Sequence, residues 1–329
     1  MLEHGGNLRA AARAFGRPVA NWLDLSAGLN PHFYRAPPLL DNAWHRLPEV
    51  DDGLLRAACA FYGAPHMLAV AGTQAAIQAL PHLRPPSRVV VAAPSYAEHA
   101  HHWRQHGHTL REVAYADLDD AVDTCDVLVV CNPNNPTGAT VPAATLLDWA
   151  ARLAARGGWL VVDEAFADTA PQDSVAAHSA QPGLVVLRSV GKFFGLAGVR
   201  VGFVGAAPGL LTALADWLGP WTVSGPAQQV ARAALEDFAW HWATREKLAR
   251  HGERLRTLLS LHRIASSGTD LFQWWPEPHA VAFHAHMAER GIWVRLFTNG
   301  AHGIRLGLPP DDTAWRRLAQ ALTEWTRPT

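Results

Sequence analysis

The sequence predicts an α/β protein: a large domain built on a seven-stranded, mostly parallel, doubly wound sheet, with a smaller α+β domain made from both ends of the chain. Three observations predict it. Seven short β-rich runs alternate with helical stretches between residues 67 and 204. Most of these runs are unbroken and apolar, the pattern of strands covered on both faces. After Gly219 the texture changes to a long helical stretch followed by short strands. A length of 329 residues suits one large domain plus a smaller one, with the large domain over residues 46–220 and the small one over 1–45 and 221–329.

The seven runs are 67–71, 88–93, 108–115, 126–131, 158–163, 184–189 and 199–204. Helices are expected at Thr73–Leu80, Tyr96–His106 and Pro142–Arg156, with Pro142 in a first turn, where its missing N–H costs nothing. Pro226 to about Leu259 reads as one long helix or two abutting ones, with Ser224 as its cap. Two short strands (261–266 and 269–275), a helix (278–290), two more strands (292–296 and 303–308) and a last helix (311–325) complete the small domain. The first 45 residues have weak strand content and are expected to pack with it.

Composition excludes several functions. The formal net charge is −1, so a nucleic-acid binder, which needs a basic surface, is not expected, and neither is a polybasic membrane anchor. No apolar run approaches the ~18 residues of a membrane span. The N-terminus is polar and does not read as a secretory signal. Cys59, Cys125 and Cys131 form no CxxC and predict no disulfide framework. The expectation is a cytoplasmic protein. Of 28 basic residues only Lys192 and Lys247 are lysines, so chemistry that needs a side-chain primary amine has two candidates.

The strongest motif is NPNNPTG at 132–138, directly after the strand DVLVVC. Such clusters also mark plain turns. Here the motif is followed by a strand ending in Asp163-Glu164-Ala165-Phe166, then by a strand running into Ser189-Val190-Gly191-Lys192, with Arg200 eight residues on. These positions fall at the carboxyl ends of successive parallel strands, where open α/β sheets bind ligands. A lysine, a carboxylate, an amide, a hydroxyl and an arginine at one edge meet the needs of a phosphorylated aromatic aldehyde, pyridoxal 5'-phosphate. Lys192 would join the aldehyde, whereas Lys247, in a charged helical stretch, reads as a solvated surface lysine. Asp163 would keep the pyridine nitrogen protonated, and Asn135 would donate to the ring hydroxyl. Gly72, Thr73 and Gln74, opening a helix after the first strand, would face the phosphate with free backbone N–H groups. Ser189 and Arg200 would add a hydroxyl and a forked cation.

The order NPxNPTG, DEAF, SxxK and an arginine eight residues later resembles the fold-type I pyridoxal-phosphate enzymes of the class I/II aminotransferase group, over nearly the whole chain. Within that group His4-Gly5-Gly6-Asn7 and LDLSAGLNP at 23–31 are similar to the threonine-phosphate decarboxylases of cobalamin biosynthesis, and next to the histidinol-phosphate aminotransferases. The resemblance implies that Tyr96 stacks on the cofactor ring and that Arg305 binds a substrate carboxylate. It also implies that Asn30 and His4 close over the substrate and that the chain is a homodimer, while Arg295, a second cation one strand before Arg305, could meet a substrate phosphate. Two positions depart from the group: Phe166 stands where a tyrosine hydroxyl is usual, and Arg46-Leu47-Pro48 lacks the tyrosine that reaches a partner's phosphate.

No metal is expected. His99, His102 and His106 could share one helical face, but no further ligand pattern accompanies them, and the helix reads as solvated. The Trp274-Trp275 pair reads as packing. The residues alone do not choose between loss of an α-proton and loss of carboxylate. The resemblance implies decarboxylation of L-threonine O-3-phosphate to (R)-1-amino-2-propanol O-2-phosphate. The alternatives are transamination of a substrate such as histidinol phosphate, or a cofactor-retaining regulatory or scaffold protein.

Overall fold

A computed structural model describes residues 5–49 and 51–326. Its contacts divide the chain into two compact units. The larger holds Phe33–Asn135 and Ala139–Ala243. The smaller holds the chain up to His32, Pro136–Gly138, and the chain from Thr244 on. Residues 33–45 and 221–243, grouped with the small domain in the sequence analysis, thus lie in the larger unit.

In chain order, the smaller unit begins with α1 (Leu8–Ala14) and β1 (Leu23–Asp24). The larger unit follows with α2 (Asp52–Tyr62), β2 (Met67–Val70), α3 (Thr73–Ala79), β3 (Arg88–Ala93), α4 (Ala97–Gln105), β4 (Thr109–Ala114) and α5 (Leu118–Val122). It continues through β5 (Val127–Cys131), α6 (Ala143–Ala154), β6 (Trp159–Asp163), β7 (Leu184–Ser189), β8 (Gly202–Gly205), α7 (Pro208–Leu218) and α8 (Gly225–Glu236). After α9 (Phe238–Leu261) come β9 (Ser267–Thr269), β10 (Phe272–Pro276), α10 (Ala280–Glu289), β11 (Ile292–Trp293), β12 (Arg295–Phe297), β13 (Gly303–Gly307) and α11 (Asp312–Thr323).

The seven expected strands form one sheet in the order β2-β8-β7-β6-β5-β3-β4. Only β8 runs against its neighbours, antiparallel to both β2 and β7. The apolar runs are buried on both faces: every residue of β5 is buried, as are Leu184–Arg188 of β7. Val89, Val127, Val161, Val185 and Leu187 meet Trp103 of α4 and Leu214 of α7 in one core. Each such side chain contributes about 1.5–3 kcal/mol on burial, which fixes the central strands and so the positions of their carboxyl ends. The segment before α2 is held to α8, where Gln228 accepts from the Asp51 amide (3.0 Å) and donates to the Glu49 carbonyl (3.0 Å). That packing explains why residues 221–236 belong to the larger unit.

The smaller unit has a four-stranded antiparallel sheet, β12-β13-β10-β9, and a separate parallel pair of β1 with β11. Of the two readings of residues 226–259, the structure has the two abutting helices, because Asp237 leaves helical geometry and its carboxylate caps the next helix at the Trp240 amide (3.0 Å). Two details depart from the sequence reading. Residues 262–266 form no strand, since α9 runs to Leu261 and Arg263 turns the chain at φ 58°. The run 292–296 is split after Trp293, with β11 pairing with β1 and β12 with β13. Among the described residues no helix is long and apolar enough to cross a membrane.

Candidate active site

At the carboxyl ends of β3, β5, β6 and β7 the larger unit opens a cavity lined by both polar and apolar side chains. All nine residues assigned to the cofactor line it: Gly72, Thr73 and Gln74 on one rim, Tyr96 and Asn135 from two loops, and Asp163, Ser189, Lys192 and Arg200 across the floor.

Local structure explains each placement. Gly72 has φ +74°, and a Cβ there would stand 2.5 Å from the Arg200 guanidinium. Only glycine permits both that backbone and that approach. The NPNNPTG loop is closed by Asn132, whose oxygen accepts from the Val141 amide (2.8 Å) and whose nitrogen donates to the Val141 carbonyl (3.1 Å). Asn134 donates to the Pro94 carbonyl (2.9 Å). The turn carrying Lys192 is anchored by Phe193 and Phe194, both fully buried, with Phe194 stacked on Trp240 at 5.5 Å between centroids. The Lys192 ammonium lies 5.2 Å from the centre of the Phe166 ring, where the group's tyrosine is replaced.

Asp163 is buried and held from two sides. Its Oδ1 accepts from the Ala165 amide (3.0 Å) and its Oδ2 pairs with His99 Nε2 (2.9 Å). Burial opposes a charge on His99, but the hydrogen bonds to Asp163 and Cys131 outweigh it and raise the imidazole to about 10. The sequence analysis read His99 only as a possible metal ligand. The signal that finds it is its place three residues after Tyr96 on one helix face, and the two rings meet edge to face at 6.0 Å. Tyr96 donates to Gln74 Oε1 (3.2 Å), and Gln74 in turn donates to Glu98 (2.8 Å). Gln74 therefore lines the cavity while its amide serves Tyr96 and Glu98.

The expectation of a solvated histidine helix is corrected. Glu98, His99, Ala100, His102 and Trp103 of α4 are buried. His99 turns to Asp163, His102 to Glu98 at 3.0 Å, and His106 to the His102 carbonyl at 2.7 Å, so the three do not converge on one ion. The donor atoms of His99, Cys131 and Asp163 do lie within 4.8 Å of one another.

The residues expected at the substrate lie in the smaller unit. Arg305 on β13 and Arg295 on β12 are directly opposed cross-strand partners. Arg305 is buried, donates to the Ser26 carbonyl (2.6 Å) and sits 5.2 Å over Phe272. Burial, with Arg295 beside it, pulls it down to about 9. Arg295 sits 5.0 Å over Phe297. Asn30 is buried and its oxygen accepts from the His32 amide (2.8 Å), shaping its own loop. His4 lies outside the described residues. Lys247 is half-buried, not a freely solvated surface lysine, and its charge helps hold His32 down to about 4, after the larger effect of burial. Trp275 is buried against Phe283 (5.4 Å), as packing requires.

A doubly wound sheet that presents a lysine and a buried carboxylate in one cavity at its strand ends is the arrangement of an α/β enzyme of the aldehyde-cofactor type. The chain belongs to the aminotransferase class I and II family, which it matches over residues 31–322. It is 53% identical over 329 residues to a threonine-phosphate decarboxylase of Pseudomonas aeruginosa, covering 100% of this chain and 99% of that one. It is 43% identical over 330 residues to a threonine-phosphate decarboxylase of a Sinorhizobium species, covering 98% and 97%. Among solved structures, the histidinol-phosphate aminotransferase of Sinorhizobium meliloti in complex with pyridoxal-5'-phosphate shares its fold, with a TM-score of 0.80 at 22% identity, covering 98% of this chain and 95% of that one.

Proposed function

We propose that this chain decarboxylates L-threonine O-3-phosphate to (R)-1-amino-2-propanol O-2-phosphate with pyridoxal 5'-phosphate as cofactor, in the making of cobalamin. The observation that carries the cofactor is the convergence of Lys192 and Asp163 on one cavity with the Gly72 turn at its rim. The substrate rests on 53% identity, end to end, with a threonine-phosphate decarboxylase.

The donor set fits the group. Lys192 supplies the amine that takes the aldehyde. Asp163, oriented by His99 and the Ala165 amide, supplies the anion for the ring nitrogen. Thr73, Ser189 and Arg200 line the same cavity, with the Arg200 guanidinium packed against Gly72, and they would hold the phosphate. Asn135 serves the ring oxygen and Tyr96 the ring face. When bound, the cofactor supplies an electron sink for the bond broken at the substrate's α-carbon. Among the described residues Lys192 is the one lysine lining the cavity, and its Nζ would return a proton to that carbon. Arg305 would take the substrate carboxylate and Arg295 the substrate phosphate, and Asn30 and His4, from the N-terminal motifs, would close over the substrate.

The working form is a cytoplasmic homodimer. Leu40, Trp44, Leu47 and Trp221 of the larger unit are each more than half exposed, an apolar surface suited to a partner. Cys59, Cys125 and Cys131 are all free thiols, in keeping with a reducing compartment.

Incubation with phosphothreonine and the cofactor, followed by mass spectrometry, is expected to yield carbon dioxide and the amino-propanol phosphate without any oxo acid. Lys192→Ala is expected to lose turnover by about 10⁴-fold or more and to carry no pyridoxyl group after borohydride reduction. Amino transfer to 2-oxoglutarate in place of carbon dioxide release overturns the reaction. Cofactor uptake without either product leaves a non-catalytic protein.

A further inference from the structure

Behind the cavity lies a second buried cluster that the reaction does not use. Side chains alternate at the end of a strand. Asp163 and Ser189 reach the cavity, and their neighbours Glu164 and Arg188 do not line it. Arg188, Glu164 and Asp168 are each 2% exposed or less. The Arg188 guanidinium donates to Glu164 Oε2 and to Asp168 Oδ1, and also to Ser174 Oγ at 3.1 Å. Its face covers the Tyr62 ring at 4.5 Å. Glu164 also accepts from the Val175 amide at 2.8 Å.

The position of this tie is informative. β6 and β7 are in register to Asp163 opposite Leu187, and the Glu164 amide adds one more ladder bond to the Leu187 carbonyl (2.9 Å). Past that point one chain turns into the short helix Ala167–Thr169 and the other into the Lys192 turn. The side-chain pair takes over where the backbone ladder ends. With both carboxylates ionised, one guanidinium against two leaves an excess of negative charge that begins one residue along the chain from Asp163, which favours cationic groups in the cavity.

We propose that Arg188, with Glu164 and Asp168, is a positioning unit that fixes the separation of the β6 and β7 ends, so that Asp163, Ser189 and Lys192 meet one cofactor, and that biases the cavity toward positive charge. The proposal rests on the reading that the cavity takes pyridoxal phosphate.

The test compares Arg188→Met, Arg188→Lys and Asp168→Asn with Leu318→Ala, a fully buried site on α11 in the smaller unit. For each, the melting temperature, the pyridoxal-phosphate dissociation constant and the pH midpoint of the bound cofactor's absorbance change are measured. Arg188→Met is expected to weaken cofactor binding about tenfold or more, because two buried carboxylates lose their donor, and Arg188→Lys to recover part of it. Leu318→Ala is expected to lower the melting temperature with the dissociation constant unchanged. Asp168→Asn, nearly isosteric, is expected to fold and to lower the absorbance midpoint. The proposal is overturned if cofactor affinity in Arg188→Met falls no further than in Leu318→Ala at equal loss of melting temperature, or if the Asp168→Asn midpoint does not move. Should Arg188→Met fail to fold, the Asp168→Asn midpoint decides alone. A wild-type protein that takes up no cofactor refutes the underlying reading instead.

Discussion

Asp163 in the larger unit and Arg305 in the smaller one are buried to nearly the same degree, 6% and 5% exposed, yet their surroundings differ in kind. Asp163 meets a histidine raised to about 10 and a backbone amide. Its charge is compensated before any ligand arrives. Arg305 has a backbone carbonyl and an aromatic face, and its direct cross-strand partner is another arginine. Like charges opposite one another in a sheet destabilise it. The Asp163 end is therefore paired directly by a histidine, whereas at Arg305 a like charge stands directly opposite and Asp24 offsets it only in part. A substrate with both a carboxylate and a phosphate suits such a pair.

Breaking the Asp163 end has the largest effect. Asp163→Asn removes the anion assigned to the ring nitrogen and leaves a protonated His99 without its partner. Turnover is expected to fall by about 10²–10⁴-fold, with cofactor affinity also reduced, as read by steady-state kinetics and equilibrium dialysis. Retention of wild-type kcat would show that the ring nitrogen needs no anion here.

Arg305→Gln comes next. It removes a buried charge-assisted contact, and kcat/KM for phosphothreonine is expected to drop roughly 10²-fold or more. Arg305→Lys keeps the charge but not the planar fork, and is expected to recover only part of the loss. An unchanged kcat/KM in Arg305→Gln would remove Arg305 from the substrate site.

His99 sharpens the comparison without chemistry. Its pKa is raised from 6.5 to about 10 in the folded chain. Its contribution to stability is therefore fully present below pH 6.5 and is lost as pH rises through about 10. The melting-temperature gap between the wild type and His99→Gln is expected to be widest at or below pH 6.5 and to close above pH 10. A gap constant across that range would mean that His99 packs but does not pair.

Much of this was legible in the chain, and what was hidden has a physical cause. The central strands of the large sheet are readable because burial on both faces writes itself as runs of valine and leucine, and the cavity residues because motif and strand end coincide. The Arg188 cluster also left a trace, a charge inside LVVLRS, where a core strand tolerates one only if it is paired. His99 was harder, since a histidine on a helix does not announce which way it faces until the sheet is in place. Short edges of the smaller unit were blurred. Nothing in IWVRLF marks Val294 as the point where one strand leaves β1 and the next joins β13, because the run holds no turn residue and only the partner strands distinguish its halves.

The smallest expected effect is the one most specific to the arginine pair. Arg295 is half-buried, so its repulsion of Arg305 is felt but partly screened. Replacing it with glutamine removes a like charge directly opposite a buried one, which is expected to stabilise the substrate-free protein by a few tenths to about 1 kcal/mol. The same change removes the cation assigned to the substrate phosphate, so KM is expected to rise as stability rises, the opposite signs that a functional charge at a strained site produces. Salt gives an internal control: the stability gain shrinks as ionic strength rises and screens the pair, while the loss of substrate affinity persists. A variant that melts lower than wild type at every salt concentration would instead assign Arg295 to packing on Phe297, and the smaller unit would then hold one functional arginine, not two.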